Sequence, residues 1–193
     1  YLLQEDLRAT LTVAQETEGR FARIFGRGGN ALLEPHRCDD AEYIVVGLGS
    51  LTYQLRDVVE TLRGEGLKVG VLGIRLYRPF PDEAVVKVLR NARGVFVIEK
   101  ALSYGYEGAL CSDVKAALYT CRGDGAGADA AGGLLTDRSG GTQGGGSCAD
   151  GPFVRGLIAG IGGRDIRTAD LADTLRAAIA GTLEGPGWIG LKI

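Results

Sequence analysis

Short runs of Val, Ile and Leu alternate along this chain with stretches in which apolar residues recur every third or fourth position. Leu3, Leu7, Leu11, Ala14, Phe21 and Phe25 fall at steps of three, four or seven, which places one apolar stripe on a long helix over residues 3–25. Glu18 interrupts the stripe, and Gly26-Arg27-Gly28-Gly29-Asn30 ends it. Such a stripe needs cover, either from the domain that follows or from a neighbour outside this chain.

From residue 31 the punctuation becomes regular. Leu32-Leu33-Glu34 reads as a short strand closed by Pro35, which lacks a ladder donor, and Tyr43–Val46 reads as a strong strand. Residues 51–63 carry Leu51, Leu55, Val58, Val59 and Leu62 on one helix face, stopped by Gly64 and Gly66. Lys68–Arg75 is the next strand. Pro79-Phe80-Pro81 then turns the chain into a helix that aligns Val85, Val88, Leu89 and Ala92, with Asp82 and Glu83 in its first turn, where the macrodipole favours carboxylates. A strand at Gly94–Ile98 leads to a helix over 107–119 with Leu110, Val114, Ala117 and Leu118 inward. A further strand at Phe153–Ala159 precedes a last helix with Thr168 as its cap and Leu171, Leu175 and Ile179 on one side.

Continuously apolar strands alternating with helices predict a mostly parallel sheet buried on both faces, joined by right-handed crossovers. The fold class is therefore α/β, a three-layer α/β/α sandwich. Its expected divisions are a lead-in helix and linker over 1–30, the sandwich over 31–181 and a tail over 182–193.

One segment breaks the alternation. Residues 122–152 hold eleven of the 32 glycines and little apolar material, so they read as a flexible insertion ahead of the last strand. A phosphate cradle there would need a following Lys-Ser/Thr, which is absent from it.

Composition narrows the function. A formal charge of −2 over 193 residues provides no broad field for gripping nucleic acid or anionic lipid. No apolar run approaches the roughly 18 residues of a membrane span. Tyr1 enters in the middle of a helical pattern without an initiator Met or a signal-type start, so a fragment or processed chain is expected. Cys38, Cys111, Cys121 and Cys148 are widely spaced, with no C-x-x-C and His36 as the single histidine, so no zinc or iron–sulfur site is encoded and reduced thiols in the cytoplasm are the expectation.

Motifs for chemistry are sparse. Gly47-Leu48-Gly49-Ser50 sits between a strand and a helix, where backbone amides can hold an anion. The dinucleotide fingerprint fails there, because Thr52 stands where its third glycine belongs and the next strand ends at Arg75 instead of an acid. No G-x-S-x-G occurs, His36 has no nucleophile beside it in sequence, and Asp39-Asp40 precedes a strand, as a solvated turn does.

Four stretches in order carry a resemblance: "DAEYIVVGLGS" (40–50), "LKVGVLGIRLYRPFP" (67–81), "GVFVIEKALSYGYEGAL" (94–110) and "LIAGIGGRDI" (157–166). Together they resemble the transketolase-C-terminal-like domain on the α subunit of the 2-oxoacid:ferredoxin (or flavodoxin) oxidoreductases, the pyruvate synthase family. The resemblance implies a mixed five-stranded sheet whose short first strand is antiparallel to four parallel ones. It also implies an enzyme that cleaves a 2-oxoacid with thiamine diphosphate and Mg, passes electrons through [4Fe-4S] clusters to ferredoxin or flavodoxin, and makes acyl-CoA. In that family the cofactor sites lie mainly in other domains, so this chain is expected to bind none of them alone, to have no catalytic residue of its own, and to act as an accessory domain beside other subunits. The insertion at 122–152 and the tail "GPGWIGLKI" (185–193) depart from the pattern, and Trp188, Ile189, Leu191 and Ile193 have the chemistry either to pack back on the domain or to dock on a partner.

Ligands of open α/β sheets collect beyond the carboxyl ends of the strands. Gly47, Gly49 and Ser50, then Arg78, then Ser103, Tyr104, Gly105 and Tyr106, then Arg164 all fall at that rim, as candidate ligand or interface residues. Arg78 and Arg164 are the expected anion partners, because a guanidinium binds bidentately. The alternative to the oxidoreductase reading is a free-standing nucleotide- or anion-binding regulatory module built on Gly47–Ser50.

Overall fold

The computed structural model describes residues 2–120, 151–185 and 187–190. Helix α1 (Leu2–Phe25) leads to strands β1 (Leu33–His36) and β2 (Tyr43–Leu48), helix α2 (Ser50–Gly64), β3 (Val69–Ile74), α3 (Asp82–Leu89), β4 (Gly94–Glu99) and α4 (Ala109–Thr120). Strand β5 (Phe153–Ala159), a single tight turn at Ile161–Gly163, α5 (Thr168–Ile179) and β6 (Trp188–Ile189) complete it. The sheet order is β1-β3-β2-β4-β5-β6, with β1 antiparallel to β3 and every other pair parallel.

Period-two alternation divides the apolar residues of each strand between two layers. Val45, Val71, Phe96, Ile98 and Leu157 pack beneath α2 and α5, while Ile44, Val46, Leu72, Val95 and Val97 pack beneath α3 and α4. Both layers are closed, which is why the strands carry no polar alternation. Close approach sets two of the glycines: a Cβ on Gly70 would stand 2.6 Å from the Arg37 carbonyl oxygen, and one on Gly73 would stand 2.5 Å from Cγ2 of the buried Thr52.

Three sequence expectations are corrected. The sheet has six strands, not five, because the tail returns to pair Trp188 and Ile189 alongside Ile158 and Ala159. Burial drives this: Ile189 is only 5% exposed and joins the α2/α5 layer, so this part of the tail packs on the domain, while Leu191 and Ile193 lie outside the described residues. Thr168 does not cap α5, because it is already the first helical residue and Arg167 holds the extended cap conformation (φ −85°, ψ 137°). In place of a cap, the Arg167 guanidinium forks onto Asp170 in the first turn at 2.9 and 2.7 Å. Strand β1 runs through Pro35 to His36, because an edge strand has one neighbour and tolerates a missing donor.

Helix α1 is only partly covered. Leu11 and Ala14 pack against the α3/α4 layer, whereas Leu3, Leu7, Phe21 and Phe25 are exposed. The Glu18 that interrupts the stripe is an anchor: its Oε1 accepts the Gly29 amide at 2.7 Å and lies 3.5 Å from Arg75 Nη1. No helix among the described residues is long and apolar enough to cross a membrane. The glycine-rich stretch at 122–152 lies, apart from Gly151 and Pro152, outside the described residues.

Candidate functional site

Strand order determines where a ligand crevice forms. After β2 the chain moves to one side to make β3, then crosses to the other side to make β4, so the crossovers diverge between β2 and β4. At the carboxyl ends of that pair the structure opens a cleft of about 720 Å³ lined by Ser50 and Gln54 of α2, Lys100 after β4, and Gly160, Arg164 and Asp165 after β5. The Gln54 amide closes one wall by donating to the Ile166 carbonyl at 3.5 Å. Among the described residues, the Ser50 hydroxyl, the Lys100 ammonium and the Arg164 guanidinium have no hydrogen-bond or ion-pair partner.

The structure brings together two of the rim residues singled out from sequence, Ser50 and Arg164. It places the others elsewhere. Gly47 is buried inside β2, where a Cβ would meet Leu55 Cδ1 at 2.9 Å, so it serves the packing of α2 on the strand. Gly49 turns the chain into α2 at φ 56°, ψ −137°, a conformation open mainly to glycine. Arg78 lies on the α3/α4 side, where its Nη2 donates to Asp113 of α4 at 2.8 Å and its guanidinium stacks on Tyr77 at 4.0 Å. Tyr77 Oη donates to the same Asp113 oxygen at 2.7 Å, so this arginine ties the β3–α3 loop to α4.

Ser103 to Tyr106 form a self-bonded turn: the Tyr106 amide donates to the Ser103 carbonyl at 2.9 Å, the Ser103 amide to the Glu107 carbonyl at 3.1 Å, and Gly105 sits at φ +82°. Tyr104 and Tyr106 project into solvent, 94% and 75% exposed. Two functional features of this loop escape the sequence reading. Lys100, inside the stretch 94–110 but not among the candidate residues named from sequence, lines the cleft. Glu99, 4% exposed, turns back to cap α4: its Oε2 accepts the Leu110 amide at 3.0 Å and its Oε1 the Cys111 amide at 2.9 Å. Burial raises the Glu99 pKa, opposed by those two amides. Next to it, Glu107 gathers Lys115, Ser112 and the Cys111 thiol, a cluster that closes the first turn of the helix.

The edge groups are committed to the fold in the same way. His36 Nε2 lies 2.7 Å from Glu60, and Asp40 takes a bidentate grip from Arg63 at 3.1 and 2.6 Å, which holds its carboxyl below the usual range.

The donor chemistry of the described residues does not suit a metal cluster. Burial pushes the Cys38 thiol up to about 11, and burial with a bond to Glu107 pushes Cys111 up to about 12, whereas cluster iron takes thiolates. No three His, Cys, Asp or Glu side chains among the described residues gather as a metal would need. With Cys121 and Cys148 replaced by serine, the folded chain is expected to react with a disulfide reagent at pH 8 roughly 100-fold more slowly than in urea. Equal rates, followed as released thiolate absorbance, would contradict this arrangement.

Comparison with known proteins adds a second line. The family model described as pyruvate:ferredoxin oxidoreductase core domain II matches residues 41–134. Pyruvate synthase subunit PorA of Methanothermobacter thermautotrophicus is 32% identical over 196 residues, covering 100% of this chain and 42% of the relative. Ketoisovalerate oxidoreductase subunit VorA of Pyrococcus abyssi is 30% identical, covering 82% of this chain and 33% of the relative. The chain thus spans less than half the length of these relatives. A solved 2-oxoglutarate:ferredoxin oxidoreductase from Magnetococcus marinus superposes with a TM-score of 0.50 at 16% identity, covering 83% of this chain and 21% of that one, and so shares the fold.

Proposed function

Because this chain belongs to the pyruvate:ferredoxin oxidoreductase family, we propose that it is the layered support domain of a 2-oxoacid:ferredoxin oxidoreductase subunit. The observation that carries this reading is the 32% identity sustained over 100% of the chain, which aligns with 42% of a longer relative. In this reading the complete enzyme oxidatively decarboxylates pyruvate or a related 2-oxoacid to its acyl-CoA in the cytoplasm. Thiamine diphosphate with Mg and the [4Fe-4S] clusters are held by other domains or subunits, and electrons leave to ferredoxin or flavodoxin. The relatives include both a pyruvate and a ketoisovalerate enzyme, so the substrate class is 2-oxoacids without a choice between them.

This chain's own residues then supply shape and contact. The exposed Tyr104 and Tyr106 on a self-bonded turn suit a subunit-facing surface, since aromatic side chains give large contact area at small entropic cost. Glu99 and Asp113 hold that turn and the preceding Arg78 loop on α4.

Affinity capture of the tagged chain from native extract tests the proposal. The expected result is recovery of partners that carry thiamine diphosphate and the broad visible absorption of iron–sulfur clusters, in fixed proportion to the chain. Recovery of the chain as a monomer with neither would overturn it.

A further inference from the structure

We propose that the cleft between the ends of β2 and β4 is a binding site for a phosphorylated, hydroxyl-bearing small molecule, held by Lys100 and Arg164 through its phosphate and by Asp165 through a hydroxyl. The location is the one that open α/β topology leaves free, at the divergence of the crossovers. Its volume of about 720 Å³ falls in the range of small-molecule sites, roughly 300–1,000 Å³, and exceeds what a bare phosphate fills.

Charge argues for the ligand class. Other basic side chains that follow strands are already paired: Arg75 with Glu18, Arg78 with Asp113, and Arg167, just before α5, with Asp170. Lys100 and Arg164 come from separate loops into one cleft and are not paired among the described residues, so both charges are open to an anion that enters it. A guanidinium grips two phosphate oxygens at once, and an ammonium adds a point charge. Asp165 in the same lining repels a simple anion but accepts a hydroxyl, so a sugar phosphate satisfies the set where inorganic phosphate does not. The Ser50 hydroxyl provides one further neutral donor in the lining. This site is a property of the chain by itself and stands apart from the oxidoreductase reading.

Calorimetric titration of the purified chain at low salt with ribose 5-phosphate, pyrophosphate and inorganic phosphate tests it. Ribose 5-phosphate is expected to bind with saturation and roughly 10-fold more tightly than either inorganic anion. The double variant Lys100→Ala/Arg164→Ala should weaken it by a further factor of roughly 10 or more, with an unchanged melting curve because both side chains are exposed. Asp165→Ala should erase the preference for the sugar phosphate, and Arg78→Ala on the other face should leave binding unchanged. Absence of saturable binding, equal affinity for all three probes, or binding indifferent to the double variant would each overturn the assignment. Failure of this titration leaves the capture experiment untouched, so the two readings fail separately.

Discussion

Replacing Glu99 by alanine is expected to cost the chain roughly 3 kcal/mol, because the change strands two buried backbone donors at once. For a chain of this size that is a fall of roughly 6–12 °C in melting temperature, read by circular dichroism at pH 7. The Leu110 and Cys111 amides belong to the first turn of α4, whose donors have no partner within the helix, and Glu99 supplies both acceptors from the end of β4. Glu99→Gln should fall between, since a carboxamide offers one acceptor oxygen and turns an N–H toward the other amide. Gly108→Ala attacks the same contact from the opposite side, placing a Cβ 1.9 Å from Glu99 Oε1. The folded-state pKa of Glu99 is raised, by burial first, so its protonated form is favoured in the fold. That contribution is complete below the unfolded-state value and is lost as pH rises through the folded one, so the gap between wild type and Glu99→Ala should widen as pH is lowered from neutrality. A variant that melts within 2 °C of wild type would show that water replaces the carboxylate without penalty.

The layers of the fold were legible because both periodicities were strong. The runs at Tyr43–Val46, Lys68–Arg75, Gly94–Ile98 and Phe153–Ala159 each fall on an observed strand, and α2 and α4 begin and end within two residues of expectation. Two-residue β6 was not legible, since Trp188-Ile189 has no period to read and forms only through the neighbouring edge of β5. The half-covered state of α1 was equally hidden. Its stripe shows that an apolar face exists, but how much of it the domain covers depends on packing that sequence does not display.

The candidate site was legible as a rim and not as a set of contacts. Strand ends are set by hydrophobic runs, so Ser50 and Arg164 could be placed at one edge. The same reasoning put Arg78 among the anion partners, and the structure gives its guanidinium to Asp113, 35 residues further along on α4. Lys100 and Glu99 show the other half of the problem. They are adjacent in sequence, yet one ends in an open cleft and the other beneath a helix, because the strand directs successive side chains to opposite faces.

That divergence depends on β4 keeping its register, and Phe96 is the largest fully buried side chain the strand carries. Phe96→Ala is expected to destabilise the chain by roughly 3–5 kcal/mol. The ring is fully buried in the strand between β2 and β5, under α2 and α5, stacked on Tyr43 at 6.1 Å and meeting Phe153 edge-on at 5.7 Å. Removing it deletes both aromatic contacts and opens a cavity whose walls are backbone-bonded strands that cannot close on it. Phe153 offers an internal control: it belongs to the same aromatic cluster but is 48% exposed, so Phe153→Ala should cost roughly 1 kcal/mol. Urea unfolding of the two variants measures the difference, and values within 1 kcal/mol of each other would show that the sheet centre repacks. Because β4 ends at Glu99 and leads directly into Lys100, the Phe96 variant should also weaken ribose 5-phosphate binding at temperatures where it is still folded, whereas the Phe153 variant should not.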